Sequence, residues 1–529
     1  MANHAPICHG ALFELLGYSA DTATAESILE GTFQPPEDAD GPTLILLEEI
    51  ARIWKKMEGG EVNIVISPED FRYYWKRAKE RTASSYSGLH FAHYKSAAFS
   101  DYLSETHALK LSRITRTGSA PERWARGLNV MLEKVAGIAL VTKLRAILLM
   151  EADFNYHNKL IFGQRMMDLA RQHDMVPEEI YSEKRKTAED AILQQVLMYD
   201  LARQWKRPLL VALVDAAQCY DRVSHAVAAL TLRAYKVHNS SVLRMLSPIQ
   251  SMEYYLRTGF GESTFFFGGK GSHKQGLCQG NGAAPPTWLQ ISTLLINAQR
   301  RHQHGITIET PISKRKIQQV GQLYVENTNL WAGLNEDMDE LDTCHAGQDS
   351  INHWGGMLMS TGGAYNADKS GWTLHDMVCG TNGEWRYQDD VKAQRKESNK
   401  ERGEEEDMYD ELNELNITVP LLEGDVAVIS RLKTSEAVKN LGMQARPDGS
   451  STDHFTHLRK RMEEWAVLVK NGQLPTRSVW TSYNQQLWAG MRYGLSACSA
   501  SLEELNGGLG SSDFYLLRSL GVIRTIKKD

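Results

Sequence analysis

The sequence lacks long apolar runs. No stretch approaches the roughly 18 uncharged apolar residues that a membrane-spanning helix requires. Its first residues, MANHAPICHGALFELLG, have no basic segment followed by an apolar core, and Pro6 interrupts them early. We therefore expect neither a membrane span nor a secretory leader in this sequence.

Cysteine is also scarce. The chain has six Cys among 529 residues, and no two of them form a CxxC pair. Scattered cysteines of this kind are typical of free thiols in a reducing compartment, and they do not predict a disulfide framework or a zinc site. We expect an intracellular protein, and the sequence does not distinguish nucleus from cytoplasm.

An excess of positive charge, the usual mark of a nucleic-acid-binding protein, is missing as well. The formal net charge is −6, but residues 401–425 alone hold ten acidic side chains and one Arg. This run has few core-forming residues and predicts a solvated insertion or linker. Because the rest of the chain is mildly basic, charge does not exclude a nucleic-acid partner.

What is present is a mixed pattern of helices and strands without internal repeats. Near residue 67, SPEDFRYYWKRAKERT combines an N-cap Ser, a Pro at the first helical position and an Asp three residues after the cap. On the predicted helix, Arg72, Lys76 and Lys79 share one face, and Phe71 and Trp75 lie on another. Such a face either grips phosphates or is simply the solvated side of an amphipathic helix.

Several further segments follow in a distinctive order. TAEDAILQQVLMYDLARQW predicts a helix, and PLLVALVD predicts a buried strand that ends at Asp215. The loop HKQGLCQGNGAAPP enters a helix at its proline pair. QLYVENTNLW then predicts a β-hairpin with Glu326 and Asn327 at its tip. GGAYNADKSGW predicts a turn, and VKNLGMQ predicts a strand.

These segments resemble the ordered motifs of the reverse transcriptase family, of the type found in non-LTR and other retroelement polyproteins. DAAQCYDRV resembles the first palm motif, in which an Asp binds catalytic metal and an aromatic residue stands five residues later. GLCQGNGAAPP resembles the Gln-Gly loop against template and nucleotide, and YVENT resembles the Tyr-x-Asp-Asp hairpin. GGAYNADKS resembles the following motif with its Asn and Lys, and NLG the primer-grip turn. KLRAILLMEADFN and PEEIYSEKRKTAEDA resemble fingers segments.

The resemblance implies nucleotidyl transfer by a two-metal mechanism. Asp215 and Glu326 would supply carboxylates, and Ala216 a backbone carbonyl, to Mg²⁺ or Mn²⁺, with two ions in an active enzyme. Tyr220 would lie beneath the sugar, where its bulk excludes a ribose 2′-hydroxyl and selects deoxynucleotides. Lys369 would give a proton or a charge to the leaving pyrophosphate.

Other residues are implied to contact the substrate, and the resemblance assigns them in pairs. For Lys143 and Arg145, the basic pair on the fingers strand, the alternative is that both are ordinary solvated side chains on an exposed surface. Asp221, close to the first motif, is expected to cap or pair and not to bind metal. The pairs are Gln279 with Gly280 at the template base pair, Lys143 with Arg145 at the triphosphate, and Leu441 with Gly442 at the primer grip.

The hairpin departs from the family's pattern. Where the family has two adjacent aspartates, this chain has Glu326 and Asn327. The extra methylene of Glu moves its oxygens by more than about 1 Å, a displacement that can cost about a hundredfold in rate, and Asn327 removes a negative charge from a catalytic position. We expect weakened or lost polymerase activity. The alternatives are an active polymerase that tolerates both residues and a non-catalytic nucleic-acid-binding scaffold.

The predicted fold class is α+β. The resemblance implies a right-hand polymerase fold with fingers, a palm of antiparallel sheet packed on helices, and a helical thumb. The expected partners are an RNA or DNA template with its primer, and dNTPs. The predicted divisions are an N-terminal helical extension (1–60), fingers (61–207), palm (208–384), a charged insertion (385–425), the palm end with the primer grip (426–450) and the thumb (451–529).

Overall fold

The computed structural model describes residues 5–498, apart from residues 83–84, 136, 139, 141–142, 267–274, 311, 393 and 395–414. Within this range, helices and short strands are mixed along the chain, so the expected combination of helix and sheet is confirmed. Most of the acidic run and the last part of the expected thumb, residues 395–414 and 499–529, lie outside the described residues.

The helices occur along the whole described chain. Short 3₁₀ turns lie at Pro6–Cys8, Glu122–Ala125, Ala367–Lys369, Leu422–Gly424 and Leu495–Ala497, and π-helical segments lie at Lys159–Met166 and Tyr483–Trp488. The α-helices are α1 (Gly10–Leu16), α2 (Ala23–Glu30), α3 (Gly41–Lys56), α4 (Pro68–Arg77), α5 (Phe91–Ala97), α6 (Asp101–Thr117), α7 (Ala152–Asn158), α8 (Met167–Gln172), α9 (Ala188–Trp205), α10 (Cys219–Arg222), α11 (His225–Ala234), α12 (Asn239–Gln250), α13 (Ala284–Arg301), α14 (Glu340–Ser360), α15 (Thr452–Gly472), α16 (Thr476–Ser482) and α17 (Ala489–Met491).

The strands are short, and they form two larger sheets and four two-stranded pairs. They are β1 (Arg126–Glu133), β2 (Leu144–Leu149), β3 (Leu209–Asp215), β4 (Glu253–Thr258), β5 (Gly261–Glu262), β6 (Ile306–Glu309), β7 (Lys316–Gln319), β8 (Gly321–Tyr324), β9 (Asn327–Gly333), β10 (Gly371–His375), β11 (Met377–Cys379), β12 (Trp385–Tyr387), β13 (Thr418–Pro420), β14 (Val426–Val428), β15 (Ser430–Arg431), β16 (Val438–Asn440) and β17 (Met443–Ala445).

The central sheet has the strand order β15-β10-β3-β9-β8. Its four main strands are antiparallel, and β15 joins the edge of β10 in parallel. Along β3, Leu209 and Val211 pack with residues of α9, whereas Leu210 belongs to the main core and faces Gly347 of α14. Because side chains alternate across a strand, a strand covered on both faces reads as one continuous apolar run. This explains the sequence PLLVALVD.

The second sheet has the order β2-β1-β4-β5, with β1 antiparallel to β2 and parallel to β4. The N-terminal helix α3 packs against α11, α13 and α14, so the first part of the chain lies directly on the helices beneath the central sheet. The Thr43 hydroxyl, for example, donates to Ser360 Oγ at 3.0 Å. Among the described helices, none combines the length and the apolar character needed to cross a membrane.

Two predicted helix starts are confirmed at their caps. Ser67 accepts from the Asp70 amide and Asp70 accepts from the Ser67 amide, a reciprocal arrangement that also joins Thr187 to Asp190 at the start of α9. However, α4 ends at Arg77, so the prediction that Lys79 shares its basic face was wrong. VKNLGMQ is likewise not one strand, because β16 and β17 form a hairpin there.

Candidate active site

Asp215 is the last residue of β3 and is 8% exposed. Its Oδ2 accepts hydrogen bonds from Asn366 Nδ2 at 3.1 Å and from Lys369 Nζ at 3.4 Å. The Asp215 amide donates to Ser370 Oγ at 3.3 Å, and the Asp215 carbonyl accepts from the Asn366 amide at 2.8 Å. The turn GGAYNADKS therefore surrounds the end of β3 and brings Lys369 to the carboxylate of Asp215.

The β8–β9 hairpin lies beside Asp215. Its two-residue turn consists of Val325 and Glu326, so the tip lies one residue earlier than the sequence predicted. Asn327 is the first residue of β9 and pairs with Asp215 across the sheet. The Glu326 carbonyl accepts from the Ala216 amide at 3.1 Å. Glu326 and Asn327 are thus held against the end of β3 by backbone pairing.

The turn itself is strained. Val325 has a φ of +58°, a left-handed conformation that β-branched residues rarely adopt. Its carbonyl accepts a hydrogen bond from Trp288 Nε1, on α13, at 2.8 Å. Since strained backbone persists only where its surroundings enforce it, the indole of Trp288 is one group that holds this turn in place.

The negative charges of the site act together on the buried thiol of Cys219. Burial raises the pKa of Cys219 most, and the charge of Glu326 raises it further, with Asp221 and Asp215 also contributing. Tyr220 is affected in the same way, because burial raises its pKa most and the charges of Cys219 and Glu326 add to this effect. Cys219 therefore lies within the field of both carboxylates that were predicted to hold metal.

Tyr220 follows at the wall of a cleft between α13, α8 and the hairpin. The cleft is also lined by Val325 from the turn, by Trp288 and by Ser182 from the loop before α9. Tyr220 thus lies in the same cleft as the hairpin turn. Its side chain is partly buried against the main core.

The Gln279–Gly280 loop packs against the second sheet. The Gln279 carbonyl accepts from the Leu148 amide of β2 at 2.9 Å, and the Gln279 amide donates to Asp221 Oδ1 at 3.3 Å. Gly280 has a φ of +114°, and a Cβ added there would overlap the Leu148 carbonyl oxygen. Only glycine fits this close approach without a shift of the backbone. Asp221 serves here as a hydrogen-bond acceptor for the loop, the pairing role expected for it.

Lys143 and Arg145 lie at the start of β2 and are exposed. Arg145 pairs with Leu132 of β1, and the Lys143 carbonyl accepts from the Lys134 amide at 2.9 Å. The Gln279–Gly280 loop is bonded to β2 farther along the strand. Lys143 and Arg145 therefore lie on the sheet against which this loop packs. They belong to a different sheet from Asp215.

Leu441 and Gly442 form the two-residue turn between β16 and β17. Their φ values are +47° and +95°, as in a tight hairpin turn with both central residues left-handed. Asn440, just before the turn, donates to the side chain of Gln195 on α9 at 2.5 Å, and Gln322 of β8 donates to the same oxygen at 3.5 Å. Gln195 therefore links the Leu441–Gly442 hairpin to the β8–β9 hairpin.

The donors near Asp215 suit a hard cation in type. Two carboxylates, Asp215 and Glu326, and the carbonyl of Ala216 are the oxygen ligands that Mg²⁺ and Mn²⁺ prefer. In the described part of the chain, no three or more His, Cys, Asp or Glu side chains are grouped to hold a metal. Asn327 is neutral and Lys369 is bonded to Asp215, so this donor set carries less negative charge than three carboxylates would.

Sequence reasoning missed the direct contacts around these donors. The sequence identified Asn366 as the Asn of the motif GGAYNADKS and Ser370 only as part of a turn, but it gave neither of them a bond to Asp215. The sequence indicated Asn366 through its position in the motif GGAYNADKS, three residues before Lys369. Nothing in the sequence distinguished Trp288 from the other apolar residues of its helix, so its bond to the hairpin turn required the three-dimensional structure.

The structure thus brings Asp215, Glu326, Asn327 and Lys369 to one end of the central sheet. Lys143 and Arg145 lie at the start of β2, and the Gln279–Gly280 loop is bonded to Leu148 farther along the same strand. No protein-family model matches the chain, and no curated protein is similar to it. Function is therefore inferred from the site itself.

Proposed function

We propose that the protein is a reverse-transcriptase-like polymerase whose DNA synthesis is weak or lost. Its substrates are an RNA or DNA template with a primer, and dNTPs. The observation that supports this most is the meeting of three separate sequence motifs at one end of the central sheet. Asp215 ends β3, Asn327 pairs with it from the hairpin, and Lys369 contacts it from the following turn.

Each group has a role in this proposal. Asp215, the Ala216 carbonyl and Glu326 would hold the divalent ion, which would supply positive charge for the primer 3′-oxygen and the leaving pyrophosphate. Tyr220, on the cleft beside the hairpin, contacts the sugar of the incoming nucleotide. Lys369 neutralises charge on the leaving group, for which it has to release Asp215.

The other pairs position the substrate. The Gln279–Gly280 loop approaches the template base pair, from the position against β2 in which Gly280 holds it. Lys143 and Arg145 are exposed on the same sheet and pair with the triphosphate, with the guanidinium of Arg145 able to form two parallel hydrogen bonds. Leu441 and Gly442 support the primer end beside the hairpin, to which Gln195 links them.

The weakness of the proposed reaction follows from charge. With Asn327 in place of an acid, only two carboxylates face the cation, and Lys369 offsets part of their charge. A site with one ion stabilises the transferring phosphoryl group less than a site with two. A non-catalytic role, in which the chain binds primer–template without extending it, is the second candidate, and the same charge deficit favours it.

Primer extension tests the proposal. The comparison is the native protein against the double variant Glu326→Asp plus Asn327→Asp, on RNA and DNA templates with Mg²⁺ or Mn²⁺. We expect extension by the double variant to be about a hundredfold faster, because two carboxylates at the correct distance restore the electrostatic field at the transferring phosphoryl group. A native rate equal to that of the double variant would contradict the impaired-enzyme proposal.

A matched control is available at the other end of the same strand. Asn335 and Glu336 follow β9 and form a second Asn/Glu pair, remote from Asp215 along the strand. Asn335→Asp plus Glu336→Asp makes the same chemical changes there, and we expect no gain in extension. If neither double variant extends primers while both bind primer–template, the non-catalytic candidate is the correct one.

A further inference from the structure

One exposed surface of the protein takes no part in the proposed site. It is formed by Tyr73, Lys76 and Arg77 of α4, by Phe99 in the turn before α6, and by Tyr102 of α6. We call these five residues the aromatic–cation surface. The sequence predicted basic residues on one face of α4 and Phe71 and Trp75 on another, and these two aromatic residues are fully buried.

The three aromatic rings are unusually open to solvent. Tyr73 is 62% exposed, Phe99 is 72% exposed and Tyr102 is 76% exposed. Single exposed apolar residues are ordinary, but large rings grouped on neighbouring helices usually mark an interaction surface. α4 and α6 pack against each other, and Arg72 of α4 bonds to Asp101, the residue next to Tyr102, at 2.8 Å. The rings therefore belong to one surface.

Cations accompany two of these rings. The guanidinium of Arg77 lies 3.8 Å from the ring centroid of Tyr73, and Lys76 Nζ lies 5.3 Å from the centroid of Phe99. Arg77 also donates to the Tyr73 carbonyl at 2.9 Å, which fixes its position over the ring. Each pair thus offers an aromatic face and a positive charge within the reach of one nucleotide.

The positive charges of Lys76 and Arg77 exceed the negative charge that Arg72 leaves unpaired on the neighbouring acids. The nearby acids Glu69 and Asp101 both bond to Arg72, at 2.6 Å and 2.8 Å. Within the described residues, neither Lys76 nor Arg77 forms an ion pair with a carboxylate. A protein partner would require only apolar and polar matching, whereas unpaired cations beside open rings are complementary to a chain of phosphates with exposed bases.

We infer that the aromatic–cation surface binds single-stranded nucleic acid. Bases stack on Tyr73, Phe99 and Tyr102, while Lys76 and Arg77 contact the phosphates between them. Recognition of this kind tolerates any base sequence, because every base has a π-face. The inference does not depend on polymerase activity, since none of the five residues belongs to the site at Asp215.

Fluorescence anisotropy with a labelled 20-nucleotide oligo(U) tests the inference. Unlabelled primer–template duplex is added in excess, so that the site at Asp215 is occupied if the proposed function is correct. The variant Tyr73→Leu, Phe99→Leu, Tyr102→Leu keeps apolar bulk but removes the stacking faces. We expect its affinity for the labelled strand to fall by tenfold or more, on the order of the loss expected for one stacked base.

A second variant separates charge from stacking. Lys76→Gln plus Arg77→Gln should lower the slope of log affinity against log salt concentration by about 1.4, since each phosphate contact to a single strand contributes about 0.7. Leu109→Ala is the matched control, because Leu109 is 64% exposed on α6 but has no aromatic face. We expect the control to bind the labelled strand as the native protein does.

Two results would overturn the inference. One is an unchanged affinity of the triple Leu variant for oligo(U). The other is self-association of the native protein in sedimentation velocity that the triple Leu variant abolishes without a change in oligo(U) affinity, because the surface would then bind a second copy of the chain. Failure to bind the duplex competitor would count against the proposed function alone, and the oligo(U) comparison would still be decisive for this surface.

Discussion

Polar side chains at the two ends of the central sheet differ in their hydrogen-bond partners and in their burial. At one end, Asp215 has Asn366 and Lys369 as partners and lies beside the half-buried turn of the β8–β9 hairpin. At the other end, His375 of β10 pairs with Leu209 and stacks on Tyr199 at 4.4 Å, fully enclosed. The same strands thus hold a hydrogen-bonded carboxylate at one end and an ordinary core at the other.

The difference bears on the proposed function, which assigns the chemistry to the Asp215 end of the sheet. The proposed function requires Asp215 to exchange these partners for a cation or a substrate. Within the described residues, neither ring nitrogen of His375 has a hydrogen-bond partner, so the histidine is tolerated only as a neutral ring. Substitutions at the Asp215 end should therefore change activity, and substitutions at the His375 end should change stability.

The largest effect is expected from Asp215→Asn in the Glu326→Asp, Asn327→Asp background. Loss of the negative charge nearest to Lys369 should lower primer extension by about 10²- to 10³-fold, the range seen when one electrostatic stabiliser of a transition state is removed. Stability should change little, because an amide oxygen still accepts from Asn366. Extension assays and urea unfolding of the same preparations measure both quantities, and a large loss of stability would show that Asp215 is structural.

Two glycines, one from each region, allow the same comparison through the steric effect of an added methyl group. Gly280, at the loop near the site, and Gly383, in the β11–β12 turn beyond His375, both have positive φ values, +114° and +81°. An added Cβ at Gly280 would overlap the Leu148 carbonyl, whereas nothing lies within 4 Å of one at Gly383. Gly280→Ala should cost about 2 kcal/mol more in free energy of unfolding than Gly383→Ala, because only the first adds an overlap to the backbone strain.

Urea denaturation measures this difference in stability, and primer–template binding shows whether the substitution at Gly280 also alters the proposed substrate site. We expect Gly280→Ala to weaken binding of primer–template as well, since the Gln279 carbonyl is bonded to β2 and its displacement moves the loop. Gly383→Ala should leave that binding unchanged. Equal losses of stability in the two variants would mean that the loop at Gly280 yields freely to an added methyl group.

The sequence predicted the strand ending at Asp215, because a strand buried on both faces has a continuous apolar signature. The order of the motifs also predicted which segments would meet, and Lys369 does reach Asp215. What it could not supply was local geometry. The hairpin tip lies one residue earlier than predicted, at Val325–Glu326. A β-branched residue at positive φ contradicts local preference, and Val325 is held there by tertiary contacts such as the hydrogen bond from Trp288.

The same limit applies to α4. Its start was predicted from the capping residues, but its end was not, since Ala78 adopts an extended conformation that no glycine or proline signals. The periodicity identified Lys76 as an exposed cation. It could not show that the aromatic residue beside it would be Phe99, which lies on a different element and comes close only through helix packing.

The smallest effect is expected at His375. Burial lowers its pKa to about 3, with a smaller contribution from the charge of Arg203. Because the unfolded value is near 6.5, the unfolded chain takes up the proton first, so the stability contributed by the neutral ring is complete above about pH 7 and is lost as pH falls from 6.5 toward 3. Between pH 7.5 and pH 5.5 this single group should lower the free energy of unfolding by about 1.4 kcal/mol.

His375→Phe isolates that contribution, since a phenyl ring keeps the stack on Tyr199 and cannot be protonated. The difference in free energy of unfolding between native and variant proteins, measured in urea at pH 7.5 and pH 5.5, cancels every other titrating group. Primer–template binding at pH 7.5 should be the same for both proteins, because His375 lies at the end of β10 opposite to Gly371, which is the end nearer Asp215. A pH-independent difference would mean that the histidine gains a proton acceptor or water contact when charged, and the enclosed end of the sheet would then resemble the Asp215 end after all.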